Sequence, residues 1–354
     1  MLIFLVLYGE KMRHINIPIF IPHLGCPNDC VFCNQRSISG HGDFDISTVK
    51  QEIDEVLSTV APDDECEIAF FGGSFTGIER SLMVALLDIA QSYVEGNGGR
   101  VSSIRLSTRP DYIDEEILDI LSRYSVRTIE LGLQSMDDGV LLASRRGHDS
   151  ACAERATRLI KERGFSLVGQ MMIGLPKSDL DKELYTARKI CEMGADGARI
   201  YPTVVFYETE LCRMAQRGEY SPITNGEAAE RSAAVLDVFE RAGVNCIRIG
   251  LCSSDNLSSD DKVYGGANHA ALGEMVMSEL YFMRICEKLD AKKAEENADF
   301  SGKTLTVFVK KGDISKTVGQ NKKNKLKLCQ KYGFKDVKVL EKNDILSYNV
   351  YISF

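Results

Sequence analysis

From residue 15 onward, short apolar runs alternate with stretches whose apolar residues recur at helical spacing. Six runs have the length and composition of strands: 15–21, 67–71, 103–107, 128–133, 166–173 and 197–202. Helical patterns lie between and after them, at 46–60, 80–94, 114–124, 150–163, 178–193 and 227–242. This alternation is typical of parallel β/α units, which right-handed crossovers roll into a barrel. The pattern therefore predicts an α/β fold, a partial (β/α)6 TIM-like barrel.

A seventh apolar run at 246–250 closes this pattern, so residues 12–250 are predicted to form the barrel. Residues 251–300 then form a post-barrel extension with a helix around 275–290. The last segment, 301–354, is predicted to be a small α+β domain of order β-α-β-β. Its strands are expected at 304–310, 336–341 and 345–353, and its helix at about 313–331.

The composition is that of a globular protein without a membrane segment. The 354 residues are 44% hydrophobic and 27% charged, and no apolar run reaches the 18 residues that a membrane-spanning helix needs. The apolar start has no preceding basic residue and no cleavage site, so we expect Met12 to be the natural start and residues 1–11 an upstream extension. Eleven cysteines, an odd number, without a secretory signal indicate a reducing, cytoplasmic location.

The net charge of −8 hides a contrast between two parts of the chain. Residues 301–354 contain 12 lysines, no arginine and 4 acidic residues, for a net charge of +8. The preceding 300 residues therefore carry −16. An acidic body with a basic tail indicates that the two parts have different partners.

Three cysteines cluster directly after the first predicted strand. Cys26, Cys30 and Cys33 lie within eight residues, at the carboxyl end of a strand, where β/α barrels hold their chemistry. Iron–sulfur clusters usually take four thiolates, so three would leave one iron with an open position. A structural zinc site of His23 with the three cysteines is the alternative, as is chance clustering. The scattered cysteines are expected to be small buried hydrophobic residues.

This spacing, with Phe32 just before the last cysteine, resembles the signature of radical S-adenosylmethionine (SAM) enzymes. The resemblance implies a 4Fe–4S cluster on Cys26, Cys30 and Cys33 whose open iron binds SAM. It also implies reductive cleavage of SAM to a deoxyadenosyl radical that abstracts hydrogen from a substrate. An electron donor of the flavodoxin or ferredoxin type is implied as a partner.

Motifs at successive strand ends extend the resemblance over about residues 12–290. FFGGSFTG (70–77), STRPD (107–111) and RIYPTVVFYETEL (199–211) are similar to segments of the Elongator catalytic subunit family. Gln170 stands where relatives of coproporphyrinogen oxidase have an aspartate that binds ribose. Twelve residues are implied as SAM contacts: Phe32, Gly72, Gly73, Ser74, Thr76, Ser107, Thr108, Gln134, Arg146, Gln170, Tyr201 and Pro202.

The resemblance leaves the reaction open. The Elongator subunit has an acetyltransferase domain after its radical SAM part, and a chain of this length is not expected to contain one. A radical SAM enzyme that acts on a small molecule, as coproporphyrinogen oxidase does, is the first alternative. A zinc-stabilised nucleic-acid-binding protein is the second. The catalytic residues on the substrate side are not identified.

The basic tail suggests RNA, in particular tRNA, as the partner. Its segment 318–327 places a glycine and four lysines around the start of one predicted helix, an arrangement suited to phosphate. The pattern resembles KH-type RNA-binding modules, although the second glycine of their loop is absent. The candidate RNA contacts are Gly319, Lys322, Lys323, Lys325 and Lys327.

Overall fold

The computed structural model describes residues 13–21, 24–26, 30–33, 44–96, 98–251, 262–296 and 298–354. The expectations about Met12 and the upstream extension, and about His23 as a zinc ligand, lie outside these residues. Within the described ranges, no helix is both long enough and apolar enough to cross a membrane.

The centre of the fold is a parallel sheet of seven strands, curled into a half-barrel. Its strands lie side by side in the order in which they follow one another along the chain. The strands are β1 (His14–Ile21), β2 (Glu65–Gly72), β3 (Val101–Thr108), β4 (Val126–Gln134), β5 (Ser166–Ile173), β6 (Gly197–Pro202) and β8 (Asn245–Ile249). The predicted partial barrel is confirmed, and the seventh apolar run is its last strand.

Helices lie between these strands along the chain, and most of them cover the outer face of the sheet. They are α1 (Val49–Thr59), α2 (Arg80–Gly96), α3 (Glu115–Leu121), α4 (Asp138–Ala143), α5 (Ser150–Glu162), α6 (Leu180–Glu192), α7 (Glu210–Gln216) and α8 (Asn225–Ala242). Asp114, Asp149 and Asp179 begin α3, α5 and α6, each accepting a hydrogen bond from a backbone N–H in the first turn. Helices α4 and α7 were not predicted, whereas α3, which is equally short, lies within the predicted helix at 114–124.

Alternation along the strands divides apolar from polar side chains. In β1 to β3, every second residue is fully buried against the helices, as Ile17, Ile68 and Ile104 are. The intervening residues face the inside of the half-barrel and include Glu67 and Arg105. The apolar core therefore lies between sheet and helices, and the concave face is left for polar groups.

Two short strands and a long helix follow the barrel strands. β7 (Val204–Phe206) pairs antiparallel with β9 (Val263–Gly266). α9 (Leu272–Glu296) packs along α8 and is longer at both ends than the helix predicted around 275–290.

The tail forms a three-stranded sheet, with β10 (Thr304–Lys310) between β11 (Asp336–Lys342) and β12 (Tyr351–Ser353). β10 runs parallel to β11 and antiparallel to β12. The single predicted helix is two helices, α10 (Ile314–Val318) and α11 (Lys323–Tyr332). It breaks because Gly319, Asn321 and Lys322 all have positive φ. The last predicted strand is mostly loop, since Tyr348 also has positive φ and only three residues pair with β10.

Helix α9 belongs to both halves of the chain. Its first part contributes Leu272, Val276 and Leu280 to the barrel core. Its second part contributes Tyr281, Ile285, Cys286 and Leu289 to the core of the tail, beside residues such as Val307 and Leu328. The predicted boundary at residue 301 therefore passes through a shared hydrophobic core.

Candidate functional site

The cysteine loop leaves β1 at the carboxyl edge of the sheet and is fixed by backbone hydrogen bonds. Val31 N donates to Ser144 O at 3.2 Å, and Leu211 N donates to Val31 O at 2.7 Å. Cys30 is 7% exposed, whereas Cys26 and Cys33 are half-buried. In the described ranges no three or more His, Cys, Asp or Glu side chains converge as they would around one metal ion. A cluster of four irons instead spreads its thiolates over several metals.

The two glycines after β2 allow the cysteine loop to lie directly against them. A Cβ on Gly73 would stand 2.1 Å from Leu24 O, and one on Gly72 would stand 2.7 Å from Ile21 O. Gly73 N donates to Ile21 O at 2.9 Å. A side chain at either position would push the cysteine loop away, so these glycines have a packing role besides any contact with a ligand.

A cavity of about 170 Å³ lies beside the three cysteines. Eight of the twelve residues predicted to contact SAM line it: Phe32, Gly72, Gly73, Ser107, Thr108, Gln134, Arg146 and Gln170. Cys26, Cys30, Cys33, Arg109 and Gly132 complete the lining. The strand-end motifs that are distant in sequence thus meet around one space next to the thiols.

Ser74 and Thr76 do not line this cavity. Their buried hydroxyls lie 2.8 and 2.7 Å from Thr108 Oγ1, and Thr76 Oγ1 donates to Tyr112 O at 2.7 Å. Arg109 N also donates to Ser74 Oγ at 3.1 Å. These hydroxyls tie the loop after β2 to the loop after β3, which places Thr108 and Arg109 at the cavity.

Two buried polar atoms at the cavity have no hydrogen-bond partner among the described residues: Gln134 Oε1 and Arg146 Nε. Arg146 is otherwise well held, since Nη2 donates to Gly132 O at 2.6 Å and Nη1 donates to Cys30 Sγ at 3.2 Å. Gln134 has a positive φ of 64°, a strained conformation for a residue other than glycine. A buried acceptor and a buried donor without partners are expected where a polar ligand completes the site.

Arg109 is a site residue that the sequence analysis missed. It is 3% exposed, and Nε and Nη2 each donate to a carboxylate oxygen of Asp111 at 2.9 Å. Nη2 also donates to Arg146 O, and Nη1 lies 3.9 Å from Cys30 Sγ. Burial opposes the charge of Arg109, yet the bond to Asp111 keeps its pKa above the ordinary value. The motif STRPD contains Arg109, but only the fold shows that it faces a cysteine.

Burial raises the pKa of the Cys26 thiol, and the charges of Arg109 and Arg146 oppose that rise. The two guanidinium groups therefore supply positive charge beside the cysteine loop. Such charge stabilises thiolates and any anionic group that they hold.

A ladder of charged side chains crosses the concave face below the cavity. Glu130 is fully buried, and Arg199 donates to both of its oxygens at 2.7 and 2.8 Å. Arg105 and Gln170 each donate to Glu130 at 2.8 Å, and Arg105 also donates to Glu67 at 2.6 Å. Burial alone would raise the pKa of Glu130, but these donors hold it below its usual value. The ladder was not predicted, because its members are far apart in sequence.

Tyr201 and Pro202 lie at the end of β6 and are outside the cavity lining. Burial raises the pKa of Tyr201, whose phenol lies close to Arg199. The structure thus brings Tyr201 to the charged ladder rather than to the cysteines.

His148 lies behind the two arginines, at a second cavity of about 750 Å³ that Asp111 and Arg146 also line. Its side chain is fully buried, and neither ring nitrogen has a hydrogen-bond partner within the described chain. Burial and the charges of Arg146 and Arg109 lower the pKa of His148 to about 4. The imidazole is therefore neutral at physiological pH.

The predicted RNA contacts of the tail do not share one free surface. Lys327 Nζ lies 3.2 Å from Glu279 Oε1, and Lys325 Nζ lies 3.5 Å from Asp336 Oδ1. A Cβ on Gly319 would stand 2.9 Å from Ser278 Oγ, so the glycine loop packs against α9. Lys322 and Lys323 are exposed. Much of this segment therefore docks the tail onto α9.

Comparison with known proteins places these features in a family context. The family model described as "Radical SAM superfamily" matches residues 20–190, and the model "Radical_SAM C-terminal domain" matches residues 195–281. The archaeal Elp3 structure of Methanocaldococcus infernus superposes with a TM-score of 0.62 at 21% identity, covering 79% of this chain and 64% of that one. That likeness concerns the fold.

Two curated relatives are similar over part of their length. The tRNA uridine(34) acetyltransferase of Methanocaldococcus jannaschii is 29% identical over 58% of this chain and 45% of the relative. Elongator complex protein 3 of Schizosaccharomyces pombe is 28% identical over 49% of this chain and 35% of the relative. The chain thus spans less than half the length of either. Two family models match in succession, one over most of the curled sheet and one over the segment that follows. The chain therefore belongs to the radical SAM superfamily, and within it resembles the Elongator catalytic subunit.

Proposed function

We propose that this chain is a radical SAM enzyme that holds a 4Fe–4S cluster with Cys26, Cys30 and Cys33 and abstracts hydrogen from a tRNA. The cluster and SAM are the cofactors of the superfamily. Bound together and reduced, they supply a deoxyadenosyl radical. The observation that carries the proposal is the single cavity that three thiols share with two unpartnered buried polar atoms.

The residues around the cavity fit these cofactors. Three thiols on one loop provide three ligands and leave one iron open, as a catalytic metal site requires. Arg109 and Arg146 bring positive charge to Cys30, which offsets an anionic cluster in a buried place. Gln134 Oε1 is a free acceptor for an amino or hydroxyl group, and Arg146 Nε is a free donor for a carboxylate.

The protein's own residues shape the cavity and fix the groups that would orient the cofactors. Gly72 and Gly73 let the backbone approach closely, so their peptide groups can reach a ligand that a side chain would exclude. Arg109 holds the backbone of Arg146 through Arg146 O, which directs that guanidinium at the cavity. Gln170 is tied to Glu130 at 2.8 Å and to Ser107 at 3.3 Å, so its amide is fixed at the cavity wall.

Two partners follow from this proposal. A one-electron donor of the flavodoxin or ferredoxin type supplies the electron, since radical SAM enzymes need a reductant. A tRNA is the substrate, supported by the names of the similar proteins and by the tail charge of +8 over 54 residues.

The test is anaerobic reconstitution with iron and sulfide, followed by SAM and dithionite, with and without bulk tRNA. We expect about four irons per chain, a brown protein, formation of deoxyadenosine, and faster formation with tRNA. Cys30→Ala should lose the iron and the deoxyadenosine, whereas Cys191→Ala, a half-buried cysteine on α6, should retain both. Zinc in place of iron, or a Cys30→Ala protein with an unchanged spectrum, would contradict the cluster. Iron without any response to tRNA would contradict the substrate.

A further inference from the structure

One face of the tail sheet is open. Leu305, Val307 and Val309 of β10 are fully buried on the side of α9 to α11. The alternate residues of β10 face the other way, and the register aligns them with residues of β11 and β12. We call this side the open sheet face, formed by Thr306, Phe308, Lys310, Lys338, Leu340, Lys342, Tyr351 and Ser353.

An apolar row crosses the open sheet face. Phe308 pairs with Leu340 on one side and with Tyr351 on the other. Phe308 is partly exposed, Leu340 is 47% exposed and Tyr351 is 57% exposed. Two aromatic rings and a leucine side by side at a solvent-facing surface are unusual, because such groups are normally buried.

Lysines surround this row. Lys338 and Lys342 lie beside Leu340 on β11, and Lys310 follows Phe308 on β10. The ammonium groups of Lys342 and of Lys288, on α9, lie 5.8 and 6.0 Å from the ring centroid of Tyr351. Acidic groups partly offset these charges, since Asp344 lies 3.4 Å from Lys342.

Aromatic rings flanked by cations match one class of macromolecule in particular. Unpaired bases stack on exposed aromatic side chains of a sheet, while lysines contact the phosphates. The rest of the chain carries a net charge of −16, so the basic tail is the part whose net charge attracts a polyanion. On the other side of the tail, Lys327 and Asn324 contact α9, and Lys325 Nζ lies 3.5 Å from Asp336 Oδ1. Lys322 and Lys323 are exposed there.

We propose that the open sheet face binds single-stranded RNA, with bases stacked on Phe308 and Tyr351 and phosphates held by Lys310, Lys338 and Lys342. The inference rests on the proposed function only in taking RNA as the substrate. It moves the RNA contact from the glycine–lysine segment to the opposite side of the tail domain. There it would hold unpaired nucleotides of the same tRNA.

The test measures binding of the reconstituted full chain to a labelled single-stranded oligoribonucleotide and to a base-paired hairpin, by fluorescence anisotropy at several salt concentrations. We expect Tyr351→Ala to weaken single-strand binding at least about fivefold and Tyr351→Phe to bind like the wild type, because stacking needs the ring. Lys338→Ala should lower the salt slope by about 0.7. The double variant Lys322→Ala/Lys323→Ala is the matched control on the helical side.

Unchanged binding by Tyr351→Ala, or a loss seen only with the Lys322/Lys323 control, would overturn the proposal. So would equal affinity for the hairpin and the single strand. Deoxyadenosine formation without RNA, measured on the same variants, separates the two hypotheses. If SAM is not cleaved while binding follows Tyr351, the proposed reaction fails and the RNA surface stands. If SAM is cleaved and no variant changes RNA binding, the proposed reaction stands and the RNA surface fails.

Discussion

Single residues at the cysteine loop owe their roles to contacts that no local pattern reveals. The spacing of Cys26, Cys30 and Cys33 was readable because all three lie on one loop. The role of Arg109 could not be predicted in this way. Its carboxylate partner, Asp111, is two residues away, but its sulfur partner, Cys30, is 79 residues away in the sequence. The same holds for the buried hydrogen bond between Ser74 and Thr108, which joins residues 34 positions apart.

Replacing Arg109 should disturb the site through Arg146. In Arg109→Met, Asp111 and Arg146 O lose their charged donor, which costs about 2–3 kcal/mol of stability. We expect the reconstituted variant to bind SAM at least about tenfold more weakly, measured by equilibrium dialysis. Arg155→Met, at an exposed position on α5, is the control and should bind SAM normally. Normal SAM affinity in Arg109→Met would show that Arg146 needs no such support.

His148 should make stability depend on pH in a defined window. Its pKa is about 4 in the folded chain and about 6.5 when unfolded, so the unfolded state binds the proton first as the pH falls. Stability that is fully present above about pH 6.5 is then lost toward pH 4, by about 2 kcal/mol between pH 7 and pH 5.

Denaturant unfolding of His148→Phe at both pH values checks this. In His148→Phe, the free energy of unfolding should fall less between pH 7 and pH 5 than in the wild type. In His269→Phe, at an exposed position, it should fall as much as in the wild type. Identical pH profiles for wild type and His148→Phe would refute the assignment.

At the scale of elements, the strands of the barrel and six of the helices that accompany them were predictable, and the two short helices α4 and α7 were not. β5 and β6 have the predicted bounds, and the other parallel strands differ by at most two residues at either end. Apolar alternation marks strands strongly. The tail helix failed because Gly319, Asn321 and Lys322 break it within an otherwise helical pattern. The charged ladder was not predicted, because Glu130 and Arg199 lie on different strands, 69 residues apart.

The ladder should contribute strongly to stability. Glu130→Gln leaves Arg199 and Arg105 buried with reduced compensation, so we expect a loss of about 3–5 kcal/mol in denaturant unfolding at pH 7. Because the folded pKa of Glu130 is lowered, its contribution is present above about pH 4.3 and is lost as the pH falls further. The difference from wild type should therefore shrink in acid. Glu154→Gln, an exposed ion pair, should cost less than about 1 kcal/mol.

At the scale of the whole molecule, the basic tail is not an independent appendage. The element pattern and the charge contrast predicted it as a separate unit, and neither gives information on how the tail packs against the rest of the chain. Tyr281 donates to Asp313 at 2.7 Å, and Asn324 donates to Ser278 O at 2.8 Å. These polar contacts join α9 to the tail together with the shared apolar core.

A chain ending at residue 300 should therefore lose stability. It exposes Tyr281, Ile285 and Leu289 on α9, each of which contributes about 1.5–3 kcal/mol when buried. We expect a lower melting temperature and increased binding of an apolar dye. The full-length variant Lys338→Ala, altered only at an exposed residue, should melt like the wild type. A truncated chain that melts like the full one and binds no dye would show that the tail folds apart.

Helix α9 fixes the position of the tail relative to the barrel, because it contributes to the hydrophobic cores of both. Its residues Leu272 to Leu280 lie in the barrel core, and the residues that follow, Tyr281 to Leu289, contribute to the core of the tail. The tail cannot swing without pulling apart one of two hydrophobic interiors. A nucleotide bound on the open sheet face would thus stay at a constant distance from the cysteines. That distance would determine which position along a bound RNA reaches the cysteines.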